Sequence, residues 1–490
     1  MKYVIRNSML AAAVIAATAV SAKDCPVPMV LPTQYSDLRS MVIFDAEKDT
    51  YFTDNQWLAV SKGGKTGFIS TDGKRMIEPV YEEIIDYWHE GILPVQKEGK
   101  WGFIDREGKE VIAPQFAIFW SVQDGMVAVG SDKEKEPNQL IDLRGKTLPL
   151  PDNVDSIDNI GEGMVGVKVG DKYGYANTAG ELVIEAKYDS ISSFYEGFAE
   201  VGIDNLSGII DKTGREIIPL RYHYIMRSQD GYFIPVDHQE STMAVFNRKG
   251  EQVLPAEYSM ISEYEEESSM EFRLFIKGIT IALKNEYWGV IDEQGKEILP
   301  FEYERLSLLD NGWLIAAKDG KEGVIDRQGK VIIPFEYEWL SYAEGIFMMD
   351  KRLPNEQSIK NNATVRYSGI LDGQGKELIP PQYENVKPLP GAKNYAVYTK
   401  GGYRLFDAAG KAVSDDTWDY IVEGLDGMLK VSKNDRLGYI DEKGEVLIKP
   451  QYDYVTSIKP NYILTFRGKR RQLLDKQGCV LIDMAGHWKK

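Results

Sequence analysis

The 490-residue sequence is poor in the groups that most chemistry requires. It contains 4 histidines and 2 cysteines. Histidine is the commonest general base and a frequent metal ligand, yet His89, His223, His238 and His487 stand in unrelated contexts with no HxH or HExxH spacing. They read as surface or packed residues, and no zinc site is expected. GxGxxG, GxxxxGK[ST] and GxSxG are also missing, so neither a phosphate cradle nor a nucleophile elbow is present and no cofactor is expected. Basic charge is in deficit, with 58 Lys and Arg against 75 Asp and Glu and a net charge of −17. Binding to phosphates needs clustered Lys and Arg, so nucleic acid and anionic lipid are poor partners.

Long apolar runs are equally scarce. One, MLAAAVIAATAV from Met9 to Val20, follows Lys2 and Arg6 and precedes Val20-Ser21-Ala22. A bilayer span needs about 20 apolar residues, so this run is a secretory signal segment, with cleavage expected after Ala22. Residues 1–22 are therefore assigned as signal peptide and 23–36 as a tail. The chain is expected to be exported, periplasmic or extracellular, without membrane insertion. A lipid-modified Cys25 is disfavoured because Lys23 and Asp24 stand where small residues should precede it. In an oxidising compartment Cys25 and Cys479 suggest a disulfide, which within one chain brings both ends together. Free thiols or an intermolecular bridge fit the sequence equally.

What the sequence has in abundance is self-similarity. The stretch WGFIDREGKEVIAPQF at 101–116 recurs as GFISTDGKRMIEPVY at 67–81, WGVIDEQGKEILPFEY at 288–303, EGVIDRQGKVIIPFEY at 322–337 and LGYIDEKGEVLIKPQY at 437–452, among others. Twelve copies are anchored by Gly73, Gly108, Gly145, Gly180, Gly214, Gly250, Gly295, Gly329, Gly375, Gly410, Gly444 and Gly478. Nine of the eleven intervals are 34 to 37 residues and two are 45 and 46, with the excess near residues 264–272 and 351–362. A half unit, MVIFDAEKD at 41–49, precedes the first full copy. The array fills residues 37–260 and 261–490.

Each unit reads as strands, because its apolar residues alternate or run in short β-branched stretches without a helical period. The central Asp-x-x-Gly is turn chemistry: Asp bonds the backbone two residues on, and Gly takes the left-handed conformation. An acidic-Gly or polar-Gly turn such as Glu90-Gly91 introduces an upstream strand. Downstream, prolines such as Pro79, Pro114, Pro219, Pro300, Pro334 and Pro450 are expected to end the strand. An aromatic follows, at Tyr81, Phe116, Tyr222, Tyr303, Tyr337 and Tyr452. A short fourth strand, for example SISSF at 190–194, is expected to complete the unit.

The units resemble WG repeats, also called KWG repeats, a family of bacterial tandem repeats with the pattern EGLAxVxxxGKWGFIDxxGKxVIPPxYD. The best match is EGILPVQKEGKWGFIDREGKEVIAPQF at 90–116. Trp of the eponymous pair survives only at Trp101 and Trp288, while Gly persists in eight of twelve copies. The resemblance implies no general catalytic activity and no agreed ligand.

The expected fold is all-β: about twelve tandem repeats of three to four short antiparallel strands, stacked because no unit buries its apolar face alone. Propeller-like rings are favoured, two of about six divided near the Gly250–Gly295 interval, with an open superhelical β-solenoid as the alternative. Function is expected to be non-catalytic: a broad surface presented to a protein, peptide or glycan of the cell envelope. Two alternatives remain. One is a glycan hydrolase or lyase whose carboxylates converge only in the fold, drawn from Glu263, Glu265, Glu266, Glu267, Glu302, Glu304, Glu336 and Glu338. The other is a purely structural envelope component. The aromatics that leave the periodic pattern, Trp88, Trp120, Trp313, Trp339 and Trp418, are the candidate binding surface.

Overall fold

The computed structural model describes residues 25, 27–32, 34–45, 50–236, 242–261, 273–353, 365–389, 393–424, 427–458 and 462–484. The expected signal peptide, His238, His487, the carboxylates at 263–267 and most of both expected insertions lie outside the described residues. Among the described residues there are strands and turns and no helix.

The strands form eleven sheets; the nine-stranded one holds two antiparallel units joined by a parallel pair, so the chain builds twelve successive antiparallel units, each holding one anchoring glycine and counted below as one sheet. The fourth is representative: Ser156–Gly161, Met164–Val169, Lys172–Asn177 and Leu182–Tyr188 pair in chain order. Its inner strands are apolar on both faces, as in Met164, Val165, Gly166 and Val167, all buried. The cause is that each sheet is covered front and back by its neighbours, so alternation gives way to continuous apolar runs. Val165 and Val167 share a cluster with Met126, Ala128 and Leu140 of the third sheet. On the other face Met164 and Tyr175 share one with Phe194, Ala199 and Val201 of the fifth.

The twelve core clusters each join two consecutive sheets. Across the midpoint, Ile234, Val245 and Leu254 of the sixth sheet pack with Ala282 and Ile291 of the seventh in the same way. The expected division into two rings therefore has no counterpart in the packing. The last junction joins the twelfth sheet to the first, where Leu464, Leu473 and Ile482 meet Leu38, Leu58, Val60 and Ile69. The contacts between sheets thus run in one circular succession. Three further features hold this junction. Met29–Leu31 adds to the outer edge of the twelfth sheet, parallel to Val480–Met484. Arg471 pairs with Asp37 at 2.9 Å. Cys25 and Cys479 form a disulfide with Cα atoms 5.4 Å apart.

The turn between third and fourth strands follows the sequence logic. At Asp105 the Oδ1 accepts from the backbone N–H of Glu107 at 3.1 Å and of Lys109 at 2.8 Å. Gly108 closes the turn with φ of 84°, a conformation that costs other residues about 1 kcal/mol or more. Asp142, Asp292, Asp326 and Asp441 make the same pair of bonds. One oxygen of each is therefore committed to the turn.

Three expectations require correction. The prolines do not end the strand. Pro114 lies within Glu110–Phe116, where register passes from Phe103↔Ile112 to Trp101↔Phe116, so three residues oppose Gly102 alone. Pro79, Pro219, Pro300, Pro334 and Pro450 likewise lie inside their strands. Proline suits this place because a bulged residue owes no hydrogen bond to the ladder. The bulge also explains the Gly of the Trp-Gly pair. A Cβ on Gly102 would stand 2.6 Å from Ile112 O and 2.6 Å from Pro114 N.

The short fourth strand is also misplaced by the sequence reading: Ser190–Ile191 is the first strand of the next sheet, pairing with Phe198–Ile203. Finally, MVIFDAEKD is no half repeat. Its described part, Met41–Asp45, is the far end of the long strand Tyr35–Asp45, which pairs with Thr50–Lys62.

Candidate functional site

The described carboxylates named in the sequence reading turn out to be engaged. Glu302 meets Lys318 at 3.0 Å, Glu336 meets Lys351 at 3.2 Å, and Glu338 pairs with Lys321. Glu304 accepts the backbone N–H of Gly320 at 3.1 Å. The acidic-Gly turns form a ladder from sheet to sheet: Glu90 accepts from Gly125 N at 2.8 Å, Asp124 from Gly163 N at 3.0 Å, and Glu162 from Gly197 N at 2.8 Å. These acids take left-handed backbone, with φ of 47°, 54° and 51°, which the two-residue hairpins of this geometry demand. Basic residues of the Asp-x-x-Gly and Asn-x-x-Gly turns reach back to the preceding sheet, as Lys212 does to Glu162 at 3.0 Å and Arg248 to Glu196. Among the described residues no group of three or more His, Cys, Asp or Glu is placed to hold a metal ion.

The five candidate tryptophans are not brought together. Trp88 is buried in the core between the first and second sheets, 4.7 Å beneath the Arg106 guanidinium. Trp120 lies on the first strand of the third sheet and is 36 % exposed. Trp313 and Trp339 are half-buried in the eighth and ninth sheets. Trp418 is in fact periodic: it bridges Tyr403 as Phe116 pairs with Trp101. It is buried at the edge of the tenth sheet, which has three strands. A groove of about 270 Å³ beside it is lined by Asp416, Thr417, Lys433, Asn434 and Pro450. The ammonium of Lys433 is already bound by Thr417 Oγ1 at 3.2 Å.

The place where the repeat pattern breaks outward is the first hairpin. Val42–Asp45 and Thr50–Thr53 are rich in β-branched and aromatic residues, which suit extended backbone. They pair as Val42↔Thr53, Ile43↔Phe52, Phe44↔Tyr51 and Asp45↔Thr50. The rest of the first sheet stops short of them, since Lys65–Ser70 pairs with Thr50–Lys62 only from Trp57 onward. On its other side Val42–Phe44 runs parallel to Tyr87–His89 and joins the first two sheets.

Alternation along these strands sorts the side chains. Ile43 and Trp88 turn to the core between the two sheets. Phe44, Tyr51, Tyr87 and His89 gather on the opposite face. Ring centroids are 5.0 Å apart for Phe44 and Tyr51, 5.4 Å for Tyr51 and Tyr87, and 4.9 Å for Phe44 and His89, mostly edge to face. Tyr51 is 55 % and Phe52 39 % exposed. His89 is buried with Nε2 unpartnered, and burial, opposed by Glu90, holds its pKa below the usual imidazole value. Beneath the hairpin Arg106 grips the fully buried Asp54 with two bonds of 2.9 Å and Gln56 with a third. Sequence reasoning missed this cluster. The signal was available in YFTDNQW at 51–57 and in the absence of a turn glycine from DAEKD.

Eight segments, 67–101, 101–133, 173–206, 208–236, 288–321, 323–351, 369–403 and 438–464, match the family described as WG containing repeat and together cover just over half of the chain. The chain belongs to the WG-repeat family. Within this WG-repeat protein the matched segments carry the glycines that face a bulge: Gly67, Gly102, Gly174, Gly208, Gly289, Gly323, Gly369 and Gly438. No curated protein matches the chain. Among solved structures it is similar to the tricorn protease, at 11 % identity over 89 % of this chain and 52 % of that one, with a TM-score of 0.24. A eukaryotic initiation factor gives 9 % identity over 88 % and 96 %, with a TM-score of 0.28. Kluyveromyces lactis Hsv2 gives 8 % over 65 % and 96 %, with a TM-score of 0.21. The WG-repeat chain spans about half the length of the tricorn protease chain. Likenesses this distant carry no argument about architecture or activity.

Proposed function

We propose that this WG-repeat protein is exported and non-catalytic, and that it binds a protein, peptide or glycan of the cell envelope through its projecting first hairpin. The observation that carries the reading is the exposure of Tyr51 and Phe52 on a hairpin that extends past the rest of its sheet. Rigid amphipathic rings give large contact area at low conformational cost, which is why they recur at binding surfaces. The ion-paired and turn-bonded carboxylates favour binding over acid–base chemistry, since a catalytic pair must be free to exchange protons. The segment at residues 1–22 and the Cys25–Cys479 disulfide suit an oxidising compartment outside the cytoplasm.

The test is a panel of envelope proteins, peptides and glycans presented to the mature chain and to Tyr51→Ala/Phe52→Ala. Binding that weakens about tenfold or more in the double variant is the expected result, since two truncated hot-spot rings cost more than about 1.4 kcal/mol. A ligand whose affinity is untouched by the double variant would remove the hairpin from the site.

A further inference from the structure

We propose that the free edge of the projecting hairpin takes up an extended, basic peptide segment of a partner protein as an added β-strand. The inference rests on the binding role proposed above and names its ligand class. The backbone carries the argument. Val42 N donates to Asp86 O at 3.2 Å, so the peptide groups of Val42 point at the Tyr87–His89 strand. Those of Ile43, one residue on, point the other way, at its partner Phe52. Along Thr50–Thr53 the groups of Phe52 therefore face inward, and those of Tyr51 and Thr53 face outward. Among the described residues no strand pairs with that outward edge. It ends where Thr71 N and Oγ1 take Gln56 O and Asn55 O at 3.0 and 2.8 Å.

Unpaired edges are templates for strand addition, and proteins normally blunt or cover them. This chain does both elsewhere. The outer strands of eight sheets are bulged opposite a glycine, most of them at a proline, and the straight outer edge of the twelfth is covered by Met29–Leu31. The edge at Tyr51 and Thr53 has neither device, and the Tyr51 ring lies beside it, 55 % exposed, as a surface for an alternate side chain of an incoming strand. Charge decides between occupants. The chain carries −17 overall, and Glu90 flanks the strand two positions over, about 10 Å away and within reach of screened electrostatics, whereas Asp86 beside it is paired with Arg39 at 2.9 Å. A second copy would bring like charge to the same edge, whereas a basic segment is attracted to it.

Random peptides displayed on phage are selected against the mature chain with its disulfide intact, and a selected peptide is resynthesised for fluorescence anisotropy. The expected sequences alternate apolar with Lys or Arg. Methylating alternate backbone nitrogens of the peptide should weaken binding about tenfold or more, a result that leaves the protein's folding untouched. Thr53→Pro, which removes an outward N–H, should do the same with an unchanged unfolding midpoint. Failure to select any peptide, or affinity indifferent to N-methylation, overturns the proposal. Glycan binding that depends on Tyr51 without peptide binding overturns the peptide and leaves the binding role standing. Dimerisation in sedimentation that Thr53→Pro abolishes assigns the edge to a second copy and likewise overturns it.

Discussion

The eleventh and twelfth sheets are neighbours of similar length and similar turns, yet their outer edges are built in opposite ways. In the eleventh, Gly438 faces Lys449, Pro450 and Gln451 between the pairs Tyr439↔Ile448 and Leu437↔Tyr452. In the twelfth, Gln472 stands in place of the glycine, and Arg471↔Met484, Gln472↔Asp483 and Leu473↔Ile482 follow without interruption. The bulge is made opposite glycine or, in the sixth sheet, opposite the small Ala244; the long Gln472 side chain leaves no room for that crossing, and the strand lies straight. A straight strand exposes a continuous row of donors and acceptors, and Met29–Leu31 takes them. The Gly–Pro pairing of the repeat is thus a device against strand addition, and the one sheet that lacks it at the chain's end is the sheet that joins the two termini.

Breaking the bulged case should have a large effect. In Gly438→Val the new Cβ would fall 2.3 Å from Ile448 O and 2.7 Å from Pro450 N, both backbone atoms that cannot step aside. We expect a loss of about 3 kcal/mol or more, in the range of severe overpacking and backbone strain. A denaturation midpoint within error of the parent's would show that the close approach is not needed. Gln472→Gly, which only removes a side chain from the straight sheet, should cost about 1 kcal/mol.

The straight case is broken by removing what covers it. Cys25→Ser with Cys479→Ser opens a loop that spans 454 residues of sequence; chain-entropy reasoning sets a ceiling of about 6 kcal/mol, and loss of a native disulfide typically costs about 2–5 kcal/mol. The effect should be local. Hydrogen exchange should accelerate at Met29–Leu31 and Val480–Met484, while the junction of the sixth and seventh sheets stays protected. Uniform acceleration throughout would mean that the twelve sheets unfold as one unit and that the terminal strand holds no separate junction.

Much of this contrast was legible in the sequence. Twelve glycines gave twelve turns and twelve repeat units, because a left-handed fourth position admits little else and Asp at the first position satisfies two backbone donors on its own. Proline was the harder residue. Its missing N–H says only that no ladder bond is made there, and a strand end and a bulge inside a strand satisfy that equally. The two are separated by Gly102 on the neighbouring strand, a contact that exists only after pairing. Trp418 failed for a related reason: its partner Tyr403 sits at the Trp position of a copy that has lost the fourth strand, so its periodicity is visible only in register. The aromatic cluster of Phe44, Tyr51, Tyr87 and His89 joins two sheets through a parallel pairing of short segments. Nothing in either segment announces the other.

The smallest effect concerns the ladder of acids, at Glu162. Burial pushes its pKa up, but bonds from Lys212 and from the Gly197 backbone outweigh this and hold it below the ordinary 4.5. A depressed carboxylate pKa means that the folded state prefers the charged form. The stabilisation is therefore complete above the ordinary value and is lost as pH falls through the lower, folded one. The side chain is 33 % exposed, so screening limits the contribution to about 0.5 kcal/mol. Glu162→Gln should lower the unfolding free energy by that amount at pH 7 and by nothing measurable once the parent's Glu162 is protonated. A difference that persists unchanged at low pH would assign the residue's role to its left-handed backbone rather than to its charge. In that case the turn geometry would be the part of the ladder that matters.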